Sequence, residues 1–279
     1  MNRPAVSGAT RLAAVIGTPV RHSLSPAIHN AAFAEAGLDW VYVALEVAEG
    51  RTPSAFEGMR VLGISGLSVT MPHKEAAFAA VDDLSLPAER MRAVNCVQLL
   101  HGRLIGHNTD GDGFVGSLRA DAGLDPAGLS VVVVGAGGAA RSVIEALGRA
   151  GASRVAVINR TAARTLDAAS LAGEAGRVGT WEDIPSADLV VNATSLGMGG
   201  VGLPIDASLL RPNHVVADLV YHPLETPLLA AARAAGARAI DGLGMLVHQA
   251  AHQFRLWTDA EPPVAAMRRA ALDELARRG

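Results

Sequence analysis

The chain has 279 residues, half of them hydrophobic and 18% charged, with a formal net charge of −3 and a single cysteine. The high apolar fraction excludes an intrinsically disordered protein, the charge balance argues against nucleic-acid partners, and the single cysteine excludes an internal disulfide. No run approaches the ~20 apolar residues of a membrane span, and the N-terminus lacks the apolar stretch of a signal peptide. We therefore expect a cytoplasmic protein of one large or two modest domains, with no membrane contact.

The first third of the chain alternates short β-branched runs with alanine-rich helical patterns. The predicted elements are strands at 11–17, 39–47 and 66–71 and helices that begin at Ser25, Thr52 and Pro72. Ser25 followed by Pro26 is typical of a helix start, with Ser25 as the N-cap. Two later runs, 94–100 and 103–106, flank His101-Gly102 and predict a β-hairpin. This alternation indicates an α/β domain.

A turn-rich segment at 121–128 precedes a second series of strands. These strands are predicted at 129–134, 154–159, 187–192, 215–219 and 238–240. The order is typical of a doubly wound, Rossmann-type domain, and from Leu243 onward only helices are predicted. Because these helices cannot form a core alone, we expect them to return to the first domain. The predicted domains are 1–115 with 243–279, and 116–242.

The loop Gly135-Ala136-Gly137-Gly138-Ala139-Ala140 lies between the first strand and the first helix of the second domain. Its pattern fits G-x-G-x-x-G/A, which gains meaning from the strand–loop–helix context. Glycines let the backbone approach a pyrophosphate, and the helix N-terminus favours negative charge. A plain strand-to-helix turn is the competing interpretation, and the context favours a dinucleotide site.

The end of the next strand favours NADP over NAD. An NAD site places an acidic residue about 20 residues beyond the glycine loop, where it holds the ribose 2′-hydroxyl. Here the strand leads into Asn159-Arg160-Thr161, with Arg164 one helical turn later and no acid. Two guanidinium groups beside two neutral polar side chains suit a 2′-phosphate. The alternative is a pair of solvated arginines at the start of a surface helix.

Polar residues also follow the predicted strands of the first domain. Ser23 and Ser25 lie in a loop that enters a helix N-terminus, where a small anion such as a carboxylate can bind. Lys74 falls in the first turn of a helix, where its charge opposes the helix dipole, which makes it a functional candidate. Asp110 follows the hairpin and is the natural partner of Lys74 for proton transfer. The alternatives are helix caps for Ser25 and Asp110 and an exposed lysine for Lys74.

Further candidates follow the later strands of the second domain, at the carboxyl ends where ligands of parallel sheets bind. They are Thr194, Ser195, Met198, Leu219 and Gly242 for the cofactor, with Tyr221 and Gln249 nearby in the sequence. No H-E-x-x-H pattern, Cys–His spacing or G-x-S-x-G elbow is present. The sequence therefore predicts no metal site and no serine hydrolase.

Together these segments resemble the shikimate dehydrogenase family over nearly the whole chain. The matching segments, in family order, are 17–19, 22–26, 29–30, 68–74, 93–95, 108–110, 135–141, 159–164, 192–198, 218–221 and 241–249. The resemblance implies a substrate domain and an NADP-binding domain. It also implies reversible reduction of 3-dehydroshikimate to shikimate, on the pathway to the aromatic amino acids.

The resemblance further implies the role of each substrate residue. Ser23, Ser25 and Tyr221 would hold the substrate carboxylate. The residues implied to hold ring hydroxyls are Thr70, Asn95, Lys74, Asp110 and Gln249. Lys74 would donate the proton, and Asp110 would orient it. Hydride addition builds negative charge on the ketone oxygen, and a nearby ammonium stabilises that charge.

Ser68 departs from the family pattern, because many members have asparagine there. A serine is shorter and offers one hydroxyl in place of an amide, so a ring hydroxyl is recognised differently. Quinate is therefore a possible substrate, and a quinate- or aminoshikimate-type relative remains an alternative. A non-catalytic NADP-binding sensor is a third interpretation, against which the retention of Lys74 and Asp110 argues. Monomer and homodimer are both compatible with the sequence.

Overall fold

The computed structural model describes residues 6–278. It separates into two compact units, of which one runs to Thr109 and resumes at Val247 and the other spans Asp110–Leu246. The second unit therefore begins with the helix that follows the hairpin, whereas the sequence placed its start at residue 116. The reason is that this helix packs against another helix of the second unit.

The described residues form twelve strands and ten α-helices, with short 3-10 turns between them. The strands are β1 (Arg11–Gly17), β2 (Trp40–Glu46), β3 (Gly66–Val69), β4 (Asp83–Leu84), β5 (Cys96–Leu100), β6 (Arg103–His107), β7 (Ser130–Val134), β8 (Arg154–Ile158), β9 (Gly176–Val178), β10 (Leu189–Asn192), β11 (Val215–Asp218) and β12 (Arg238–Ile240). The helices are α1 (Ser25–Glu35), α2 (Thr52–Leu62), α3 (Lys74–Ala80), α4 (Leu86–Met91), α5 (Asp110–Ala122), α6 (Gly138–Arg149), α7 (Ala162–Ser170), α8 (Pro227–Ala234), α9 (Leu243–Thr258) and α10 (Val264–Arg278).

The first unit is built on a six-stranded sheet of order β2-β1-β3-β5-β6-β4. β1 pairs in parallel with β2 and β3, whereas the predicted hairpin β5–β6 is antiparallel and adds to β3 in antiparallel fashion. Phe56 and Met59 of α2 pack with Ile16 and Val69 in an apolar core on this sheet. Burying such side chains contributes roughly 1.5–3 kcal/mol each.

The C-terminal helices return to the first unit, as predicted. Helix α10 packs against α1. In α9, the Trp257 indole donates a hydrogen bond to the Val97 carbonyl at 3.1 Å. A Cβ on Gly66 would come within 2.4 Å of that indole, so only glycine leaves room for it. At the far end of α10, the Arg278 guanidinium donates to the carbonyl oxygens of His22 and Ser23 at 2.5 and 3.3 Å.

The second unit is a wholly parallel sheet of order β12-β11-β10-β7-β8-β9. Valine-rich strands such as β7 are buried on both faces, and separate apolar clusters cover the two faces of the sheet. This arrangement confirms the predicted doubly wound fold. The chain runs from β7 outward in both directions, so the strand order reverses between β7 and β10, where ligands of such sheets bind.

Two helix starts differ from their predictions. Helix α3 begins at Lys74 rather than at Pro72, because residues 71–72 form a turn before it. The second difference is at α1. Ser25 is the first residue of α1 rather than its N-cap, and Leu24 takes the cap position with no side-chain hydrogen bond. Instead the Ser23 hydroxyl accepts a hydrogen bond from the Ser25 N–H at 3.2 Å. The prediction of a Ser25 cap is therefore wrong, because the loop supplies the capping oxygen two residues earlier.

Candidate functional site

A cavity of about 730 Å³ opens in the second unit at the carboxyl ends of β7, β8 and β10. Its size is within the range of small-molecule and cofactor sites. Eight predicted cofactor residues line it, namely Gly135, Ala136, Gly137, Asn159, Arg160, Arg164, Thr194 and Ser195. The cavity therefore brings together the glycine loop, the end of β8 and the loop after β10.

The glycine loop has the backbone geometry that close ligand approach requires. Gly135 has a φ of +120°, and a Cβ there would lie 2.9 Å from the Ala193 carbonyl oxygen, so a side chain is excluded. By contrast, a Cβ on Gly137 or Gly138 would meet no atom within 4 Å. This open space lies at the start of α6, whose N–H groups and dipole favour a pyrophosphate.

Two guanidinium groups stand at the β8 side of the cavity. Arg160 and Arg164 are exposed, and neither forms an ion pair within residues 6–278. Asn159 holds the turn between them and β8, because its amide donates to the Thr161 carbonyl at 3.3 Å. Two forked donors without an acidic partner in this range suit a doubly charged phosphate monoester, which fits NADP.

The other predicted cofactor residues do not line the cavity. Gly138 and Ala139 form the first turn of α6, and Thr161 is the N-cap of α7. Met198 is exposed in a 3-10 turn. Gly242 packs against Leu219, whose carbonyl oxygen would lie 2.3 Å from a Cβ at that glycine. Their contact with a cofactor stays a prediction.

The cavity also contains residues that the sequence analysis missed. Trp181, Leu196 and Pro204 line it, and the Trp181 side chain is 45% exposed. Trp181 begins a 3-10 turn shortly after β9, an edge strand too short for its periodicity to be recognised. The available sequence signal for Trp181 as a ligand-facing residue is an isolated aromatic side chain in an irregular segment that contains glycine.

A buried polar pair holds the loops on the β10 side of the cavity. The Asn192 amide donates to Asp218 Oδ1 at 2.8 Å, and Asn192 Oδ1 accepts from the Thr194 N–H and hydroxyl at 3.0 and 2.8 Å. Asp218 also accepts from the Val220 N–H and the Thr226 hydroxyl at 3.1 and 2.7 Å. Burial raises the pKa of the Asp218 carboxyl above its ordinary value, and these donors oppose that effect.

In the first unit, β3 ends at the predicted segment that leads to Lys74. His73 fixes this segment, since its ring nitrogens bond the Val47 carbonyl at 2.8 Å and the Thr52 hydroxyl at 3.1 Å. The Lys74 carbonyl accepts a hydrogen bond from the Val94 N–H at 2.9 Å. Lys74 is half-buried at the start of α3. It is the only lysine in the sequence, and the other 23 of the 24 Lys and Arg residues are arginines.

Several predicted substrate residues of the first unit are polar and buried. They are Ser25, Ser68, Asn95 and Gln249, while Ser23 and Thr70 are half-buried at the same end of the sheet strands. Asn95 Oδ1 accepts from the Thr109 N–H at 2.8 Å. Two residues that the sequence analysis missed, Tyr42 and Gln253, hydrogen-bond within this set. Tyr221 and Asp110 belong to the second unit, where Asp110 begins α5.

No group of three or more potential metal-ligating side chains occurs in the described part of the chain. Among the same residues, no helix combines the length and apolar character needed to cross a membrane.

Comparison with family models places three matches in chain order. Residues 15–97 match a shikimate dehydrogenase substrate binding domain, and residues 120–197 match shikimate / quinate 5-dehydrogenase. Residues 242–272 match a shikimate 5′-dehydrogenase C-terminal domain. The matched ranges cover parts of both units.

Individual relatives match over nearly the full length. A shikimate dehydrogenase (NADP(+)) of Geobacter sp. strain M21 is 45% identical, with 98% of this chain and 99% of the relative covered. The structure of Thermus thermophilus shikimate 5-dehydrogenase in complex with NADP(H) and shikimate has a TM-score of 0.89 at 40% identity, covering 95% of this chain and 100% of that one. A shikimate dehydrogenase structure in complex with NADP+ has a TM-score of 0.91 at 36% identity, covering 97% and 98%.

Proposed function

The chain belongs to the shikimate dehydrogenase family, and we propose that it catalyses the NADP-dependent, reversible reduction of 3-dehydroshikimate to shikimate. This reaction lies on the pathway to the aromatic amino acids. The observation that carries the proposal is the cavity of the second unit, which is lined by the glycine loop after β7 and by Arg160 and Arg164 after β8. A cytoplasmic location is part of the proposal, supported by the single, buried Cys96.

The cofactor is proposed to lie along the carboxyl ends of the parallel strands. Gly137 and the start of α6 would receive the pyrophosphate, and Arg160 with Arg164 would hold the 2′-phosphate. Thr194 and Ser195 belong to the opposite wall, where the Asn192–Asp218 pair fixes their loop. NADPH, when bound, supplies the hydride, and the protein supplies position and electrostatic stabilisation.

The substrate side chains are assigned by chemistry. Ser23 and Ser25 at the start of α1, with Tyr221, are proposed to bind the carboxylate. Thr70, Asn95 and Gln249, together with Ser68, offer neutral hydrogen-bonding groups to ring hydroxyls. As the ketone oxygen gains negative charge, the Lys74 ammonium donates a proton to it, with Asp110 assigned to orient that ammonium. In the reverse direction the Lys74 amine accepts the proton from the alcohol.

Initial rates of NADP⁺ reduction at 340 nm test the proposal, with shikimate and quinate assayed in parallel and each repeated with NAD⁺. We expect strong activity with shikimate and NADP⁺ only. Comparable rates with quinate would identify the enzyme as a wider-range relative, which Ser68 in place of asparagine favours. Binding of NADPH without activity on any of the four pairs would contradict a catalytic role.

A further inference from the structure

A chain of buried hydrogen bonds connects two of the proposed substrate residues, Ser68 and Gln249. The Tyr42 hydroxyl donates to Ser68 Oγ at 2.6 Å, and Ser68 Oγ donates to Gln253 Oε1 at 2.5 Å. Gln253 Nε2 then donates to Gln249 Oε1 at 2.7 Å. Tyr42 and Gln253 are 2% and 1% exposed, so both lie beneath the residues that they connect.

We propose that Tyr42 and Gln253 are positioning residues that fix the hydrogen-bonding roles of Ser68 and Gln249 toward the substrate. This inference rests on the proposed function, since it concerns how the same site distinguishes substrate groups. Neither Tyr42 nor Gln253 is assigned a contact with the substrate. Their effect is transmitted through the two side chains that they hold, Ser68 and Gln249.

The donor and acceptor count gives this chain a direction. A serine hydroxyl has one donor and two acceptor lone pairs. The Ser68 proton is engaged by Gln253, and one lone pair accepts from Tyr42, so Ser68 offers the substrate an acceptor only. Gln249 Oε1 accepts from Gln253 Nε2, which fixes which end of the Gln249 amide carries its oxygen. The chain therefore presents Ser68 as an acceptor for a substrate hydroxyl and holds the Gln249 amide in one orientation.

The packing around the chain keeps it from rearranging. The Tyr42 ring stacks on the buried His29 ring at 4.5 Å with an interplanar angle of 12°, and Trp257 lies 6.0 Å from it. Gln253 Nε2 also approaches Thr109 Oγ1 at 3.3 Å, which leaves the amide one orientation that satisfies its partners. Burial raises the pKa of the Tyr42 phenol, so it remains a protonated donor. A polar set fixed before binding orders fewer side chains when the substrate arrives.

Tyr42→Phe tests the first half of the chain, because it removes only the hydroxyl. We expect the KM for shikimate to rise about 5- to 30-fold, which corresponds to the loss of one or two neutral hydrogen bonds. The kcat and the KM for NADP⁺ should stay within about twofold of their wild-type values. The matched control is Ser117→Ala, which removes a hydroxyl of equal burial that donates to the Phe114 carbonyl in the second unit at 2.8 Å. It should leave the KM for shikimate unchanged.

The double variant Tyr42→Phe/Ser68→Ala shows whether Tyr42 acts through its neighbours. If it does, the combined increase in KM is smaller than the product of the two single increases. A multiplicative increase would mean that Tyr42 acts independently of Ser68, and it would overturn the proposed chain.

Gln253→Glu tests the second half through a pH profile. A carboxylate still accepts from Ser68 but cannot donate to Gln249, whereas a protonated carboxyl does both. We expect the KM for shikimate to be raised at high pH and to fall toward the wild-type value as the pH is lowered. Gln98→Ala is the control. The Gln98 amide donates a hydrogen bond to the Leu256 carbonyl of α9, the helix that also carries Gln253, but it takes no part in the hydrogen-bond chain.

The outcomes separate the two proposals. Wild-type protein without activity on shikimate overturns the proposed function and this inference with it. This inference alone is overturned if the wild-type protein is active, Tyr42→Phe leaves the KM for shikimate unchanged, and the KM of Gln253→Glu does not depend on pH. Thermal unfolding of each variant confirms folding, and if Tyr42→Phe does not fold, the Gln253→Glu profile decides.

Discussion

At the scale of the residue, the proton transfer proposed for Lys74 cannot be supplied by any arginine of the chain. All 23 remaining basic residues of the Lys and Arg set are arginines, and a guanidinium does not release its proton in proteins. Among the Lys and Arg side chains, only this amine can both donate a proton and take it back in the reverse reaction. The segment before it is held by the buried His73 ring, so the lysine enters α3 from a fixed turn.

Replacing Lys74 with alanine should lower kcat for shikimate oxidation by about 10²- to 10⁴-fold, the usual contribution of a general acid–base group. The Kd for NADPH should remain within a few-fold of the wild-type value, because the proposed cofactor residues belong to the second unit. Lys74→Arg is the matched control, since it keeps the charge without a titratable amine, and it should be nearly as inactive. Turnover close to wild type in either variant would remove Lys74 from the mechanism.

Arg160 and Arg164 should determine the choice between the two nicotinamide cofactors. Changing both to glutamine removes two charge-assisted contacts, each typically about 1.5–3 kcal/mol, so the Kd for NADPH should rise by at least about 10²-fold. Binding of NADH should change little, and Arg238→Gln, an exposed arginine at the start of β12, should affect neither cofactor. Quenching of Trp181 fluorescence in separate titrations with NADPH and NADH measures these affinities at the cavity. Equal weakening of NADPH and NADH would contradict the 2′-phosphate assignment.

At the scale of the element, two strand ends of the second unit are joined by one carboxylate. Asp218 at the end of β11 accepts hydrogen bonds from Asn192 at the end of β10, from Val220 and from Thr226. The loops after both strands are thereby held by one buried side chain. An orphaned donor in such a place costs about 1–3 kcal/mol.

In Asp218→Asn, the new NH₂ group would face one of the groups that now donate to the carboxylate, and that donor would lose its acceptor. The substitution should therefore reduce the free energy of unfolding by about 1–3 kcal/mol and raise the KM for NADP⁺. Urea denaturation and initial rates provide the two measurements. Asp206→Asn serves as the control, since Asp206 caps an exposed 3-10 turn through the Ser208 N–H at 2.9 Å. If both variants lose the same stability, the strand-joining role of Asp218 is refuted.

The elements also show which parts of the fold the sequence determines by itself. The β7 strand of consecutive valines and the hairpin around His101 have strong local patterns, and both form as predicted. Two- and three-residue edge strands such as β4 and β9 have no periodicity to detect. The position of Trp181 depends on β9, so its place in the cavity could not be predicted.

The candidate site follows the same division. Side chains at the ends of predicted strands, such as Arg160 and Thr194, could be found because their position follows from local sequence. Tyr42 and Gln253 could not, because their hydrogen bonds join residues up to 185 positions apart. A tyrosine within a strand and a glutamine within a helix have no local pattern that distinguishes them from ordinary core residues.

At the scale of the whole molecule, the two units have separate cores and separate fluorescent reporters. Trp40 and Trp257 are buried in the first unit, and Trp181 lies in the second. Burial lowers the pKa of His29, in the core of the first unit, from 6.5 to about 3. Burial also lowers the pKa of His107 in the same unit. Acid should therefore act on the stability of the first unit through these histidines.

The sign follows from the number of bound protons. Between pH 6.5 and about 3 the unfolded chain binds a proton at His29 that the folded chain does not, so the free energy of unfolding falls as the pH is lowered through this window. The slope from this group is at most about 1.4 kcal/mol per pH unit. His29→Phe, which keeps an aromatic ring beside Tyr42, should flatten the dependence, whereas His101→Asn on the exposed hairpin turn should not.

Urea unfolding in a Trp181→Phe background, followed by the fluorescence of Trp40 and Trp257, measures the first unit alone. An unchanged pH slope in His29→Phe would show that other groups control acid stability. The same urea titrations at pH 7 check that the variant folds. At that pH, protonation of His29 in the unfolded chain contributes almost nothing to the free energy of unfolding.

The contact between Arg278 and the carbonyl oxygens of His22 and Ser23 has a practical consequence for how the protein is produced. The end of α10 supports the loop that presents Ser23, one of the proposed carboxylate ligands. An affinity tag or reporter fused directly after this helix, or a truncation that reaches it, would disturb that loop. The effect would be a raised KM for the substrate that carries the carboxylate, in a protein that is otherwise well folded. Purification tags are therefore better attached at the other terminus or through a long, cleavable linker.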